Sequence, residues 1–151
     1  MQNLVQAQVF TPPWATNEML DMVGGERLSD HETFFFEPTC GDGQMLLVMV
    51  ERIYKALLNK YQDHEKAFCE TLFKFYASEL DEVLVPKARM RIYEWAVENA
   101  GRPLSRIEDG LICLQLVQAI ECRDALKDSI PNIDPAPSMR ALKRKFKEGA
   151  R

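Results

Sequence analysis

The segment that most constrains this chain runs Thr33-Phe34-Phe35-Phe36-Glu37-Pro38-Thr39-Cys40-Gly41-Asp42-Gly43-Gln44-Met45-Leu46. Its first four residues have the aromatic and β-branched content of a buried strand, and from Met45 onward apolar residues recur at helical spacing. Gly41 and Gly43 therefore sit at a strand-to-helix turn. In an open α/β sheet the ligand crevice lies beyond the carboxyl ends of the strands. Glycines there let the backbone approach a ligand, and the helix N-terminus offers unpaired N–H groups.

The rest of the chain alternates in the same way. Asn17 to Val23 reads as a short helix stopped by Gly24-Gly25, and residues 24–32 read as a polar connection. After the strand at 33–37, a helix over about Gln44 to Lys60 places Leu46, Val50, Ile53, Tyr54, Leu57 and Tyr61 on one stripe. An extra helical segment around Tyr61 to Thr71 fills the gap before the second strand, Phe73 to Ser78. Glu79-Leu80-Asp81 follows it. The next helix, Glu82 to Asn99, carries Val85, Ala88, Ile92 and Trp95 on a second stripe, with Pro86 near its start and Gly101 and Pro103 beyond its end. Leu111 to Ile120 is apolar enough for a third strand, but Gln115 and Gln118 leave a helix open, because periodicity alone does not decide. Trp14, Trp95 and the phenylalanines are expected in the core.

With 151 residues, 46% hydrophobic and 28% charged, the chain can bury one core. No apolar run approaches the ~20 residues of a membrane span, and no signal-peptide pattern opens the sequence, so a cytoplasmic location is expected. Cys40, Cys69, Cys113 and Cys122 are unevenly spaced and only His31 and His64 could join them, which supports neither a disulfide framework nor a zinc site. Charge is uneven. Six basic residues from Arg140 to Arg151 face Glu148 alone, an excess of +5 that leaves the remainder at -9 of the net -4. Lys143, Arg144, Lys145 and Lys147 are thus the candidate nucleic-acid contacts, and the acidic body is a poor surface for gripping DNA. Residues 1–130 are read as the folded domain and 131–151 as a proline-containing linker and basic tail.

Three ordered motifs carry a resemblance. Val9-Phe10-Thr11-Pro12-Pro13-Trp14 precedes Glu37-Pro38-Thr39-Cys40-Gly41-Asp42-Gly43, which precedes Tyr76-Ala77-Ser78-Glu79-Leu80-Asp81. Over residues 9 to 126 the set resembles the S-adenosylmethionine-dependent DNA adenine-N6 methyltransferases, with their Thr-Pro segment, Asp/Glu-Pro-x-Cys-Gly-x-Gly loop and Glu-x-Asp strand end. A weaker match is Glu121-Cys122-Arg123-Asp124-Ala125-Leu126, where the family has Gly-Asp-x-Leu and this chain has Arg123.

The resemblance implies a partial Rossmann-like class I methyltransferase fold, a three-layer αβα arrangement with a mostly parallel sheet that lacks the later strands. It also implies a cofactor, S-adenosylmethionine, and contacts to it. Glu79 would accept hydrogen bonds from the ribose hydroxyls. Gly41 and Gly43 would bring backbone amides to the methionine part, and Thr11 would donate to its carboxylate. Glu37 and Asp42 would face the ammonium group, and Asp124 would accept from the adenine amino group. Pro38, Cys40 and Leu80 belong to the same motifs. For Asp124 an ordinary helix-capping role is an equal alternative, and Cys40 reads as a small packed residue and not a nucleophile.

The family's Asn/Asp-Pro-Pro-aromatic motif, which holds the flipped adenine, is absent; the nearest text, Asn132-Ile133-Asp134-Pro135-Ala136-Pro137-Ser138, has no aromatic residue. The expected function is therefore the cofactor-binding part of an adenine-N6 methyltransferase, inactive alone. A second polypeptide, self-association through the edge of the first strand, or coverage of that edge by the C-terminal segment would complete the sheet, and DNA would bind the assembled complex. The alternatives are a non-catalytic degenerate methyltransferase acting as a regulatory module, or an enzyme acting on a smaller substrate or RNA.

Overall fold

The computed structural model describes residues 10–128 together with 140, 142–145 and 148. Strands β1 (Phe35–Glu37), β2 (Phe75–Glu79) and β3 (Ile120–Cys122) form one parallel sheet in the order β1-β2-β3. Each parallel step needs a crossover. Helices α3 (Gln44–Tyr61) and α4 (His64–Leu72) link β1 to β2, and α5 (Leu84–Asn99) and α6 (Arg106–Ala119) link β2 to β3. Before them, α1 (Pro13–Val23) and α2 (Gly25–Ser29) pack on α3. The class is α/β, with a small sheet among helices.

The pleat divides the sheet residues between two faces. Phe35, Phe75, Ala77 and Ile120 join Leu46, Val50, Ile53, Ala88, Ile92 and Leu116 in one buried core. Phe36 and Tyr76 point the other way and stack with ring centroids 5.5 Å apart. Leu142 is fully buried in the same core, so the C-terminal helical residues pack on the body across the boundary drawn at residue 130. The proline-containing stretch 131–139 and Lys147 lie outside the described residues. No helix of the described residues is long and apolar enough to cross a membrane.

Helix boundaries follow local chemistry. Gln44 to Asn99 falls close to expectation, with the Val85, Ala88, Ile92 and Trp95 stripe fully inside. Asp63 caps α4 by accepting from the Lys66 N–H at 3.0 Å.

Several sequence expectations are corrected. Of the two alternatives open for Leu111 to Ile120, the helix is found: Leu111 to Ala119 belongs to α6, and the strand is only Ile120 to Cys122. The helix wins because Ser105 and Glu108 form a capping box that starts it, a signature visible in the sequence three residues apart. The connection at 24–32 contains α2, anchored by Leu28, which is buried. Helix α1 begins at Pro13 instead of Asn17, because proline at the first helical position lacks only an N–H that has no partner there anyway. Strand β1 starts at Phe35 because Thr33 is held in a turn, its Oγ1 donating to Asp30 Oδ2 at 2.8 Å. Trp95 and Phe68 are core, but Trp14, Phe10 and Phe34 are exposed.

Candidate functional site

The carboxyl ends of all three strands open on one cavity of about 520 Å³. Parallel strands end on the same side, so the segments that follow them converge there whatever their separation in sequence. Phe10 and Thr11 come from before α1, Pro38 to Asp42 from after β1, and Gln44 and Met45 from the first turn of α3. Glu79 and Leu80 follow β2, and Arg123 to Leu126 follow β3.

The loop after β1 is tied to β2 by both strand-end and side-chain bonds. The Cys40 N–H donates to the Ser78 carbonyl at 2.9 Å, and Ser78 Oγ donates to the Pro38 carbonyl at 3.0 Å. Glu79 spans the two loops that flank the cavity. Its Oε2 accepts from the Gly41 N–H at 2.8 Å and its Oε1 from the Asp81 N–H at 3.0 Å. The two loop glycines have different reasons to be glycine. Both have positive φ, 55° at Gly41 and 89° at Gly43. A Cβ on Gly43 would also lie 2.9 Å from the Ala88 Cα on α5, whereas at Gly41 the nearest atom is 3.6 Å away, on the Phe10 ring.

Of the residues singled out from the motifs, Thr11, Pro38, Cys40, Gly41, Asp42, Glu79, Leu80 and Asp124 line this cavity. Glu37 and Gly43 do not. Glu37 is buried and turned back on its own loop, its Oε1 accepting from the Thr39 N–H at 3.0 Å and Oγ1 at 3.3 Å. Gly43 is used in packing the loop on α5. Asp124 caps the turn that follows β3, accepting from the Leu126 N–H at 3.0 Å and pairing with Lys127 at 3.2 Å, while still facing the cavity. Those bonds, the Leu126 N–H first, hold its carboxyl below the ordinary carboxylate value. The basic residues Lys143, Arg144 and Lys145 are not part of the lining, and Arg144 and Lys145 flank Glu148 at 4.0 and 2.7 Å.

The lining combines carboxylates with apolar walls. Of the lining carboxylates, Asp42 is paired with Arg91 at 2.8 Å and Asp124 with Lys127 at 3.2 Å, and the lining guanidinium, Arg123, pairs with Glu121 at 3.1 Å. Phe10, Met45, Leu80, Leu84 and Leu126 supply apolar surface. Such a cavity suits a ligand with an apolar part and several hydrogen-bond donors. Burial, reinforced by Glu79 and Glu37, pushes the Cys40 thiol up to about 12. It stays protonated at neutral pH and is no nucleophile.

Several lining residues, Phe10, Gln44, Met45, Leu84 and Leu126 among them, are not among the residues singled out from the sequence, and neither is Arg91 behind the loop. Leu84 is the first residue of α5, and its place on the wall depends on where that helix starts. Arg91, on α5, reaches Asp42 across 49 residues, a pairing with no local signature. A larger depression of about 660 Å³ lies between α5 and α6, and three of its polar side chains, Tyr93, Asp109 and Arg102, are already bonded. The Tyr93 hydroxyl donates to Asp109 at 2.6 Å, and Arg102 bridges to Glu108 at 2.6 Å. In comparisons with protein-family models, curated proteins and solved structures, nothing matches this chain.

Proposed function

We propose that this chain binds S-adenosylmethionine in the cavity at the strand ends and serves as the cofactor-binding part of a DNA adenine-N6 methyltransferase. The observation that carries the reading is the convergence of Thr11, the Cys40 to Asp42 loop, Glu79 and Asp124 on one cavity from four separate segments. These residues come from the three motifs and from the weaker Asp124 match. On this reading the sheet is the first part of a Rossmann-like methyltransferase fold.

The residues present fit such a ligand. A carboxylate offers about four acceptor positions. The Gly41 and Asp81 N–H groups use two of those on Glu79, one on each oxygen, so acceptor capacity remains for a pair of ribose hydroxyls. Glu79 and Asp124 offer acceptors to hydrogen-bond donors of the ligand, and Asp124, although paired with Lys127, would accept from an amino group and not from a keto oxygen. When bound, the cofactor supplies a methyl group already activated on a sulfonium. The chain's own contribution is then to bind and orient, and no acid/base dyad is required of it.

A partner is part of the proposal. The chain contains no Asn/Asp-Pro-Pro-aromatic sequence, so adenine binding and DNA recognition would come from a second polypeptide seated beside β1. Among the described residues β1 pairs only with β2, which leaves its other edge without a strand. The same missing sequence favours one alternative, a non-catalytic module that binds the cofactor for regulation.

Calorimetric titration of the chain with S-adenosylmethionine tests the first step: saturable one-site binding supports it, and the absence of heat and of competition overturns it. Incubation with labelled cofactor and adenine-containing duplex tests the second. No transfer is expected from the chain alone, and robust transfer would remove the need for a partner.

A further inference from the structure

We propose that Arg91 is a positioning residue for the cavity: it fixes the Gly41-Asp42-Gly43 turn in the shape that presents the turn's backbone to the ligand. The inference rests on the cofactor reading above and extends it to a residue outside every motif.

The geometry is two-point. Arg91 Nε donates to the Asp42 carbonyl at 3.0 Å, and Nη2 donates to Asp42 Oδ2 at 2.8 Å. One planar guanidinium thus grips both the peptide and the side chain of the residue between the two glycines. Two glycines in sequence otherwise leave that peptide the most conformationally free stretch of the loop. The pair is shielded, with Asp42 only 16% exposed and Arg91 35%, so solvent screens it less than an open surface pair. The helix that carries Arg91 also carries Ala88, one turn earlier, against which Gly43 packs. Face and cation together make α5 the mould for the loop.

Asp42 is consequently committed. Its Oδ1 accepts from the Gln44 N–H at 3.3 Å and its Oδ2 from Gln44 Nε2 at 3.2 Å, besides Arg91. Its part is to transmit the position of α5 to the loop and to the first turn of α3. Lysine cannot replace the grip, because an ammonium lacks the rigid fork that reaches two acceptors at fixed spacing.

The test compares two ligands in the full chain: S-adenosylmethionine, and 5′-methylthioadenosine, which keeps the adenosine and lacks the amino-acid part that the loop would hold. Arg91→Gln and Arg91→Lys should each weaken S-adenosylmethionine by ~10-fold, the scale of one charge-assisted hydrogen bond, and change 5′-methylthioadenosine by less than ~2-fold. Equal loss for both ligands, or no loss for either, overturns the positioning role. Backbone amide exchange at Gly41 and Gly43, read by NMR without any ligand, should accelerate in both variants. If wild type binds neither ligand, the cofactor reading fails, and unchanged exchange then sinks the Arg91 proposal independently.

Discussion

The Glu79 carboxylate accepts a hydrogen bond from the Gly41 N–H at 2.8 Å although 38 residues separate them, and this one contact joins the turn after β1 to the turn after β2. Removing it changes two things at once. Glu79→Ala should cost the loop its brace and the ligand its proposed ribose acceptor, weakening S-adenosylmethionine by about 1.5–3 kcal/mol in calorimetry. Unchanged affinity would take Glu79 out of the site.

Glycine substitutions should separate packing from flexibility. Gly43→Ala puts a methyl group against the α5 backbone at a positive φ, and should destabilise the fold by roughly 1–3 kcal/mol in urea unfolding. Gly110 lies inside α6 and faces open space, with no atom within 4 Å of the point a methyl group would occupy, so Gly110→Ala should stabilise by about 0.4–1 kcal/mol. A stabilising Gly43→Ala would contradict the close approach to Ala88.

Acid stability should depend on Glu108. The Arg102 side chain, with help from the Ser105 cap, holds the Glu108 carboxyl down to about 2 from an ordinary value of 4.5. A depressed folded value means that the contribution is complete above about 4.5 and is lost as pH falls from there toward 2. Arg102→Met should therefore move the acid-unfolding midpoint, followed by far-UV circular dichroism, to higher pH, and the stability difference from wild type in urea unfolding should be largest above about pH 4.5 and shrink below it. An unshifted midpoint would show that the pair adds nothing.

Association should run through the β1 edge. Phe35 is buried in the core, so a charge there tests folding, not assembly. Phe34 is 45% exposed immediately before β1 and is the better probe. In light scattering across a dilution series the free chain should self-associate, and Phe34→Lys should shift it toward monomer without loss of helix content. A wild-type monomer at every concentration would leave the second-polypeptide arrangement, or a closed sheet, in place of self-association.

Local signals in the chain were enough for its α/β alternation and for the place where the motif residues gather around one cavity. The Phe35 to Phe36 run, the glycine turn and the stripes on α3 and α5 depend on neighbours in sequence, where side-chain period and backbone freedom act directly. The capping box at Ser105 is equally local, and its helix settles a segment for which apolar content had left strand and helix both open.

What only the tertiary structure decided is how each acidic residue is used. Glu37, Asp42, Glu79 and Asp124 are alike in sequence, each polar and each in or beside a strand end. In the fold Glu37 turns back on Thr39, Asp42 is gripped by Arg91, Glu79 ties two loops together, and Asp124 caps a turn on the cavity wall. A carboxylate takes its partners from whatever donors packing brings within hydrogen-bond reach. Beside local donors at Gln44 and Asp81, Asp42 and Glu79 each take one from 49 and 38 residues away, a distance that no periodicity encodes.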